Sequence, residues 1–87
     1  MKIKKGYILR EVAGNYIVVA VGEAVKNFNG IINLNETGAF LWKRLEEGAT
    51  EEQLKTALLE EYDVEEQIAE NDIKAFISKL TEKGLLD

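Results

Sequence analysis

The side chains that could take part in catalysis are few, and they lack the partners that catalysis needs. The candidate nucleophiles are the hydroxyl groups of Thr37, Thr50, Thr56, Ser78 and Thr81. A hydroxyl nucleophile needs a neighbouring base, and the chain of 87 residues contains no histidine. Ser78 could pair with Lys74 or Lys79, but helical spacing produces such pairs on any exposed helix face. The sequence therefore predicts no catalytic residue and a protein that is not an enzyme.

Metal and cofactor sites are also not expected. There is no cysteine, and the absent histidine removes the commonest metal ligand. The acidic segment Glu60–Glu66 lacks the alternating ligands and central glycine of a calcium loop. Asp63, Glu65 and Glu66 instead favour the positive end of a following helix. The seven glycines form neither a dinucleotide-binding motif nor a phosphate-binding loop.

Charge disfavours nucleic acid and membrane partners. The net charge is −5 and the pI is about 4.8, whereas a nucleic-acid binder needs a positive face. The basic residues Lys2, Lys4, Lys5 and Arg10 are interpreted as solvated charges at a loose terminus. The longest apolar run, Tyr16–Val21, is too short to span a bilayer, and no targeting segment is visible. A cytoplasmic protein is expected.

The amino-acid composition of the chain changes near residue 34, and this change predicts the order of strands and helices. Before it, β-branched and aromatic residues predict strands at Tyr7–Val12, Tyr16–Val21 and Ile31–Leu34. The dipeptides Gly14-Asn15 and Asn29-Gly30 indicate tight turns between them. The sequence thus predicts a three-stranded antiparallel meander with a short edge strand.

After residue 34, three helices are predicted from their spacing and caps. Asn35 caps the first, which ends at Gly48. Thr50 opens the second with a capping box, and Asp63 is predicted to start the third. The third helix has an apolar stripe, which consists of Ala69, Ile73, Phe76, Ile77 and Leu80.

These elements form one domain over residues 1–87 of the α+β class, with the arrangement of a winged helix-turn-helix. Gly38 lies on the apolar face of the first helix and indicates a close approach to another element. Trp42 on the same face is interpreted as a core residue.

The edge strand suggests a binding function. Ile31–Leu34 carries no Lys, Glu or Pro to protect its edge, so an extended peptide could add a strand beside it. The plainer interpretation is that the chain's own helix or N-terminus covers this edge. The same exposed edge allows either a monomer or a strand-paired dimer.

The chain contains the segment LNETGAFLW at Leu34–Trp42, followed by Tyr62–Val64, Asp72–Leu80 and Gly84–Leu86. Together these segments resemble the PqqD-like family, named after coenzyme PQQ synthesis protein D, which includes the recognition elements for ribosomally made, modified peptides (RiPPs). Segment Leu34–Trp42, LNETGAFLW, is similar to the family signature. Tyr62–Val64, the spaced apolar pattern Asp72–Leu80 and the terminal Gly84–Leu86 follow in the family's order. The resemblance covers nearly the whole chain. One departure is Gly22–Gly30, which has no proline where the PQQ synthesis proteins carry one.

The resemblance implies a non-catalytic peptide chaperone. It would capture the leader of a precursor peptide by strand addition between the third strand and third helix, and present it to a modifying enzyme, often a radical SAM protein. The strand wall would be Ile31, Ile32, Asn33 and Leu34. The helix wall would flank the stripe that includes Ile73.

Two flanks of the third helix are candidates for that wall. The preferred flank consists of Lys74, Ile77, Ser78 and Thr81. The alternative flank consists of Asp72, Phe76 and Lys79. The preference rests on keeping Phe76 in the core.

An alternative function is a winged-helix transcription regulator that binds DNA. Its recognition helix would need basic residues near its start. Segment Thr50–Tyr62 offers Lys55 against four glutamates, and the third helix starts with Glu65 and Glu66. Phosphate would be repelled, so peptide binding is the favoured function.

Overall fold

The computed structural model describes residues 1–28 and 30–87 and has three strands followed by three helices. The strands are β1 (Tyr7–Val12), β2 (Asn15–Ala20) and β3 (Ile31–Leu34), and the helices are α1 (Glu36–Glu47), α2 (Glu51–Glu61) and α3 (Glu66–Glu82). A short 3₁₀ helix, Gly22–Lys26, lies between β2 and β3. The predicted α+β architecture is confirmed. The turn predicted at Asn29-Gly30 includes Asn29, which lies outside the described residues.

The strands form an antiparallel meander in the order β1-β2-β3. The first hairpin turn lies one residue earlier than the sequence predicts, because Asn15 pairs with Val12 and leaves Ala13 and Gly14 in the turn. Ala13 has φ 52° and Gly14 has φ 80°, so both central residues are left-handed, as hairpins with two-residue loops favour. Asn15 is therefore the first residue of β2 rather than part of the turn.

The two faces of β3 differ in burial because side chains alternate along a strand. Ile32 and Leu34 are buried against the helices, whereas Ile31 and Asn33 are exposed on the outer face. Across the sheet, Val18 lies opposite Ile32 and is fully buried. The apolar side of the sheet thus faces the helical layer.

The starts of α1 and α2 follow the predicted capping chemistry. The Asn35 side chain accepts a hydrogen bond from the Gly38 backbone N–H at 2.7 Å. Thr50 and Gln53 form a reciprocal capping box. Gly48 follows the last residue of α1, as predicted.

The start of α3 was predicted incorrectly. The helix begins at Glu66 with Glu65 at its N-cap position, and no side chain caps it. Tyr62 is extended, and the Val64 N–H donates to the Tyr62 carbonyl, so this segment connects α2 to α3 instead of starting the helix. Asp63 therefore does not cap α3.

One core joins the sheet to all three helices. Its buried members are Ile3, Val18, Ile32, Leu34, Leu41, Trp42, Leu45, Leu54, Leu58, Ala69, Ile73, Phe76, Leu80 and Leu85. Trp42 has no exposed surface, which confirms that it is a core residue, and its indole N–H donates to Glu46. Leu85 also lies in this core, because the chain folds back after Gly84.

The N-terminal segment is not loose, contrary to the sequence-based interpretation. Ile3 is buried and forms an isolated antiparallel bridge with Leu86. The Ile3 N–H donates to Leu45, the Lys4 N–H donates to Leu85, and the Asp87 N–H donates to Lys2. The lysine side chains remain exposed, but these backbone hydrogen bonds hold the segment against the helical layer.

Candidate functional site

The candidate site lies at the outer edge of β3. Among the described residues, the sheet order leaves β1 and β3 as edges, because β2 alone is paired on both sides. β1 carries Arg10 and Glu11, charges that disfavour pairing with another strand, whereas β3 carries none. β3 is therefore the edge suited to receive a strand.

The backbone of Asn33 faces away from β2. Its carbonyl accepts a hydrogen bond from the Lys79 ammonium on α3 at 3.4 Å. In an antiparallel strand the N–H and C=O of one residue point to the same side, so the Asn33 N–H also faces the open edge. By alternation, the backbone of Ile31 faces that edge too, while Ile32 and Leu34 face β2. Two residues of β3 thus present backbone donors and acceptors to a ligand.

A groove of about 350 Å³ lies between this edge and α3. Its lining comes from β3, the start of α1 and one flank of α3. The lining residues are Asn33, Leu34, Asn35, Thr37, Gly38, Leu41, Asp72, Ala75, Phe76 and Lys79. The groove therefore has a strand edge on one wall, a helix on the other and an apolar floor of Leu34, Leu41 and Phe76.

Gly38 lets the elements around the floor approach one another. A Cβ atom at this position would lie 3.1 Å from the Asn35 Oδ1, 3.4 Å from the Leu34 Cβ and 3.5 Å from the Phe76 Cε1. Its closest neighbour is the oxygen that caps α1, so a side chain here would crowd the cap and the floor together. The close approach predicted from Gly38 is confirmed.

The charged residues of the groove lining are Asp72 and Lys79, both on α3. They are seven residues apart, which places them about two helical turns from each other on one flank. Within the part of the chain that the structure describes, neither takes part in an ion pair. The groove therefore has a cation near Asn33 and an anion nearer the start of α1.

The residues predicted to bind a peptide lie on β3 and on α3. Ile31, Ile32, Asn33 and Leu34 all lie on β3, with Asn33 and Leu34 lining the groove. Ile73 is buried in the core. The preferred flank, Lys74, Ile77, Ser78 and Thr81, does not line the groove.

The alternative flank of α3 does line the groove, through Asp72, Phe76 and Lys79. The preference for the other flank assumed that Phe76 belongs either to the core or to the groove. Its ring belongs to both, because it is 8% exposed and forms part of the floor. Which residues contact a peptide stays a prediction, and the geometry favours this flank.

Other groove residues were not selected from the sequence. Asn35, Thr37, Leu41 and Ala75 line the groove, but their types are equally typical of helix caps, cores and surfaces. Gly38 was the one available signal, since it marks where α1 approaches its neighbours. The position of α3, on which the lining depends, is set by contacts distant in sequence.

A second concavity, of about 610 Å³, lies between α1 and α2 and is less suited to a peptide. It is lined by Arg44, Glu52, Gln53, Thr56, Ala57, Glu60 and Glu61. This lining offers no strand edge and no apolar floor. The concavity therefore lacks the backbone groups and the anchor site that the β3 groove combines.

The shifted pKa values belong to groups outside the groove. A hydrogen bond at 2.7 Å from Lys55 on α2 lowers the pKa of Glu66 at the start of α3, and the same bond raises the pKa of Lys55. Partial burial, with Glu36 and Glu61 nearby, raises the pKa of Tyr62. These groups connect the helices and provide no acid–base pair beside the groove.

Residues 1–28 and 30–87 carry neither a metal-binding cluster nor a membrane-spanning helix. They contain no group of three or more histidine, cysteine or acidic side chains that could hold a metal ion. None of their helices has the length and apolar character needed to cross a bilayer.

Comparison with known proteins places this geometry in a family. The sequence model described as "Coenzyme PQQ synthesis protein D (PqqD)" matches residues 8–86. The chain belongs to the PqqD family. The match includes all three strands apart from Tyr7, all three helices and the complete groove lining. No curated protein sequence matches the chain.

Two solved structures share the fold of this PqqD-family chain. One is described as "TbiB1 in Complex with the TbiA(beta) Leader Peptide"; it has a TM-score of 0.78 and 25% identity, and the match covers 100% of this chain and 95% of that one. The other is described as "Lasso peptide synthetase B1 complexed with the leader peptide"; it has a TM-score of 0.74 and 25% identity, with 97% and 93% covered. Both similar proteins were therefore solved with a leader peptide bound.

Proposed function

We propose that this PqqD-family chain is a non-catalytic chaperone that binds the leader of a ribosomally made precursor peptide. The leader adds a strand to β3 within the groove and is presented to a separate modifying enzyme. One observation carries the proposal: the Asn33 backbone faces an open strand edge beside an apolar-floored groove. The two similar structures with leader peptides support it.

Strand addition uses the groups that the groove presents. A peptide running antiparallel to β3 exchanges hydrogen bonds with the backbones of Asn33 and Ile31. Side chains on alternate peptide residues then point towards α3 and reach the floor of Leu34, Leu41 and Phe76. Backbone bonding thus supplies binding to any extended segment, and the floor selects an apolar side chain.

The expected affinity follows from these few contacts. Each backbone hydrogen bond contributes a net ~0.5–1.5 kcal/mol, and burying one aliphatic or aromatic side chain contributes ~1.5–3 kcal/mol. After the cost of ordering the peptide, the binding free energy is expected to be about −8 to −10 kcal/mol. This corresponds to a sub-micromolar to micromolar dissociation constant. Such an affinity suits a carrier that must release its peptide.

The partner and setting are also proposals. The family resemblance suggests a radical SAM enzyme as the modifying partner, and the similar lasso peptide proteins suggest other peptide pathways. The proline-free segment Gly22–Gly30 disfavours PQQ as the product. We propose that residues 1–87 act as one cytoplasmic domain, where ribosomal peptides are made.

Charge argues against the alternative of a DNA-binding regulator. α2 begins with Glu51 and Glu52, and α3 is preceded by Glu65 and begins with Glu66. Both helix starts therefore present carboxylates where a recognition helix would meet phosphates. A gel-shift assay at low salt is expected to show no complex.

The experiment that tests the proposal is calorimetric titration with the leader of a precursor encoded beside this gene. The expected result is one saturable site in the micromolar range or tighter, and no binding by a scrambled leader. Light scattering during size exclusion should accompany it, because a dimer paired through β3 would compete with the peptide. Equal binding of native and scrambled leaders would overturn the proposal.

A further inference from the structure

The Lys79 ammonium occupies an acceptor that a bound strand needs. It donates to the Asn33 carbonyl at 3.4 Å, from a side chain that is otherwise exposed. In antiparallel strand addition, a peptide N–H must bond to this same carbonyl. The peptide therefore displaces Lys79 or shares its acceptor, and the ammonium then lies directly beside the peptide.

The displaced ammonium needs a new partner. The groove floor beneath it is apolar, and a bound peptide removes water from the groove. Lys79 is exposed, so an ammonium that loses this acceptor either turns to water or pairs with an opposite charge that the peptide brings within reach. Among the residues that the structure describes, the one anion of the groove lining is Asp72, about two turns away along α3. The counter-charge within reach of this ammonium is therefore an acidic side chain of the peptide.

The order of residues along α3 defines where that charge lies on the peptide. Phe76 approaches Gly38 at the end of β3, and Lys79 lies one turn further along α3 beside Asn33. The peptide residue opposite Leu34 thus lies over the floor, and the residue opposite Ile32 lies on the Lys79 side. Both point towards α3, because they are two residues apart on one face of the strand.

We propose that Lys79 is a specificity-determining residue that selects leaders with an acidic side chain two residues from an apolar anchor. This inference rests on the proposed leader-binding function and deepens it. Asp72 repels an acidic residue at the opposite end of the groove, so the groove discriminates where the charge lies and not only its presence. The ligand class is therefore an extended peptide with the pattern apolar–any–acidic read from its N-terminal side, because an antiparallel strand passes Leu34 before Ile32.

The test is selection from a displayed library of random peptides, performed with the native protein and with the Lys79→Glu and Lys74→Glu variants. Both variants make the same charge change on exposed positions of α3, but only Lys79 lines the groove. The native protein and Lys74→Glu should enrich an acidic residue two positions from an apolar one. Lys79→Glu should enrich lysine or arginine at that position. Circular dichroism verifies that each variant is folded.

Binding measurements with one selected peptide then give the contribution of its acidic side chain to the affinity. Changing its acidic residue to the matching amide should weaken binding to the native protein by about two- to fivefold, and should leave binding to Lys79→Met unchanged. Added salt should weaken the native complex more than the amide complex.

Three outcomes distinguish a failure of the inference about Lys79 from a failure of the proposed leader-binding function. In the first outcome, the enriched peptides perturb β3 and α3 but show no charge preference, or Lys79→Glu selects the same charge as the native protein. That result would overturn the role of Lys79 and leave the proposed function standing. A reversed preference in Lys74→Glu would overturn the role of Lys79 by moving the peptide to the other flank. Failure of every variant to enrich peptides that perturb β3 would reject the proposed function itself.

Discussion

Lys79 and Asn33, 46 residues apart in sequence, are joined by a hydrogen bond from the lysine ammonium to the asparagine backbone carbonyl at 3.4 Å. This bond connects the edge of the sheet to the helix across the groove. It also shows which way the Asn33 peptide group points, since a carbonyl bonded to α3 cannot face β2. The direction of that group makes β3 a template for another strand.

Replacing Asn33 with proline tests the backbone part of the site. Proline removes the N–H that faces the open edge, and its ring occupies the space of the incoming strand. Leader affinity should fall roughly tenfold, the upper end of the range for one net hydrogen bond. Isothermal calorimetry measures the change.

Asn33→Ala is the matched control, because it removes the exposed side chain and keeps the backbone N–H. It should bind the leader as the native protein does. Unchanged affinity in a folded Asn33→Pro variant would exclude strand addition at this residue.

Ala75→Glu tests which flank of α3 forms the groove wall. Ala75 is exposed and lines the groove, so a larger charged side chain there should block the peptide while the core stays intact. The new carboxylate also lies four residues before Lys79 and can pair with its ammonium. Leader affinity should fall at least about tenfold, since the larger side chain fills the groove and burying its carboxylate beneath the peptide is costly.

Ser78→Glu makes a similar addition on the flank that does not line the groove. Binding measured by fluorescence anisotropy should be nearly unchanged for this variant. A loss in Ser78→Glu with none in Ala75→Glu would move the peptide to the flank of Lys74 and Thr81.

Ala13→Asn should stabilise the fold. Ala13 has φ 52°, a left-handed conformation that costs an alanine about 1 kcal/mol and that asparagine tolerates. The variant creates an Asn-Gly turn, which is the preferred pair for this hairpin type. We expect an increase in unfolding free energy of ~0.5–1 kcal/mol and a rise in Tm of a few degrees, measured by thermal denaturation. Ala13→Val is the opposite control and should be destabilising.

The Lys55–Glu66 ion pair should make stability depend on acid pH. Lys55 lowers the pKa of Glu66 in the folded protein below the ordinary value of 4.5. The pair therefore contributes its full stabilisation above pH 4.5, and this contribution is lost as the pH falls through the lowered pKa. Glu66→Gln should be less stable than the native protein at neutral pH, and the difference should vanish in strong acid.

Urea denaturation at neutral and acid pH measures this difference. Glu65→Gln is the matched control, with the same charge change one residue earlier and no ion pair to Lys55 in the described structure. A constant difference between Glu66→Gln and the native protein at all pH values would contradict the role of the ion pair.

Local chemistry explains what could be predicted of the fold. The caps at Asn35 and Thr50 and the bounds of β3 depend on residues close in sequence, and they were predicted correctly. The hairpin turn lies one residue before the predicted position, because a left-handed alanine is uncommon and has no sequence signal. The start of α3 was predicted too early, because Asp63 has the chemistry of a cap. In the structure Tyr62–Val64 is a connector between α2 and α3.

The site was less predictable, because it depends on how α3 is rotated against the sheet. The helical wheel offered two flanks, and the residue that separates them, Phe76, has the apolar character of a core residue. Its partial exposure in the groove follows from the close approach at Gly38, which brings α1, β3 and α3 together. The contact between Lys79 and Asn33 likewise has no local signal in the sequence.

The most direct test of the central claim is a proton–nitrogen NMR titration of the labelled protein with the leader peptide. Strand addition in the β3 groove predicts saturable shifts at Ile31–Leu34 and at Asp72, Ala75, Phe76 and Lys79, with slower amide exchange at Asn33. Shifts that spare β3, or that appear on the flank of Lys74, Ile77, Ser78 and Thr81, would contradict it.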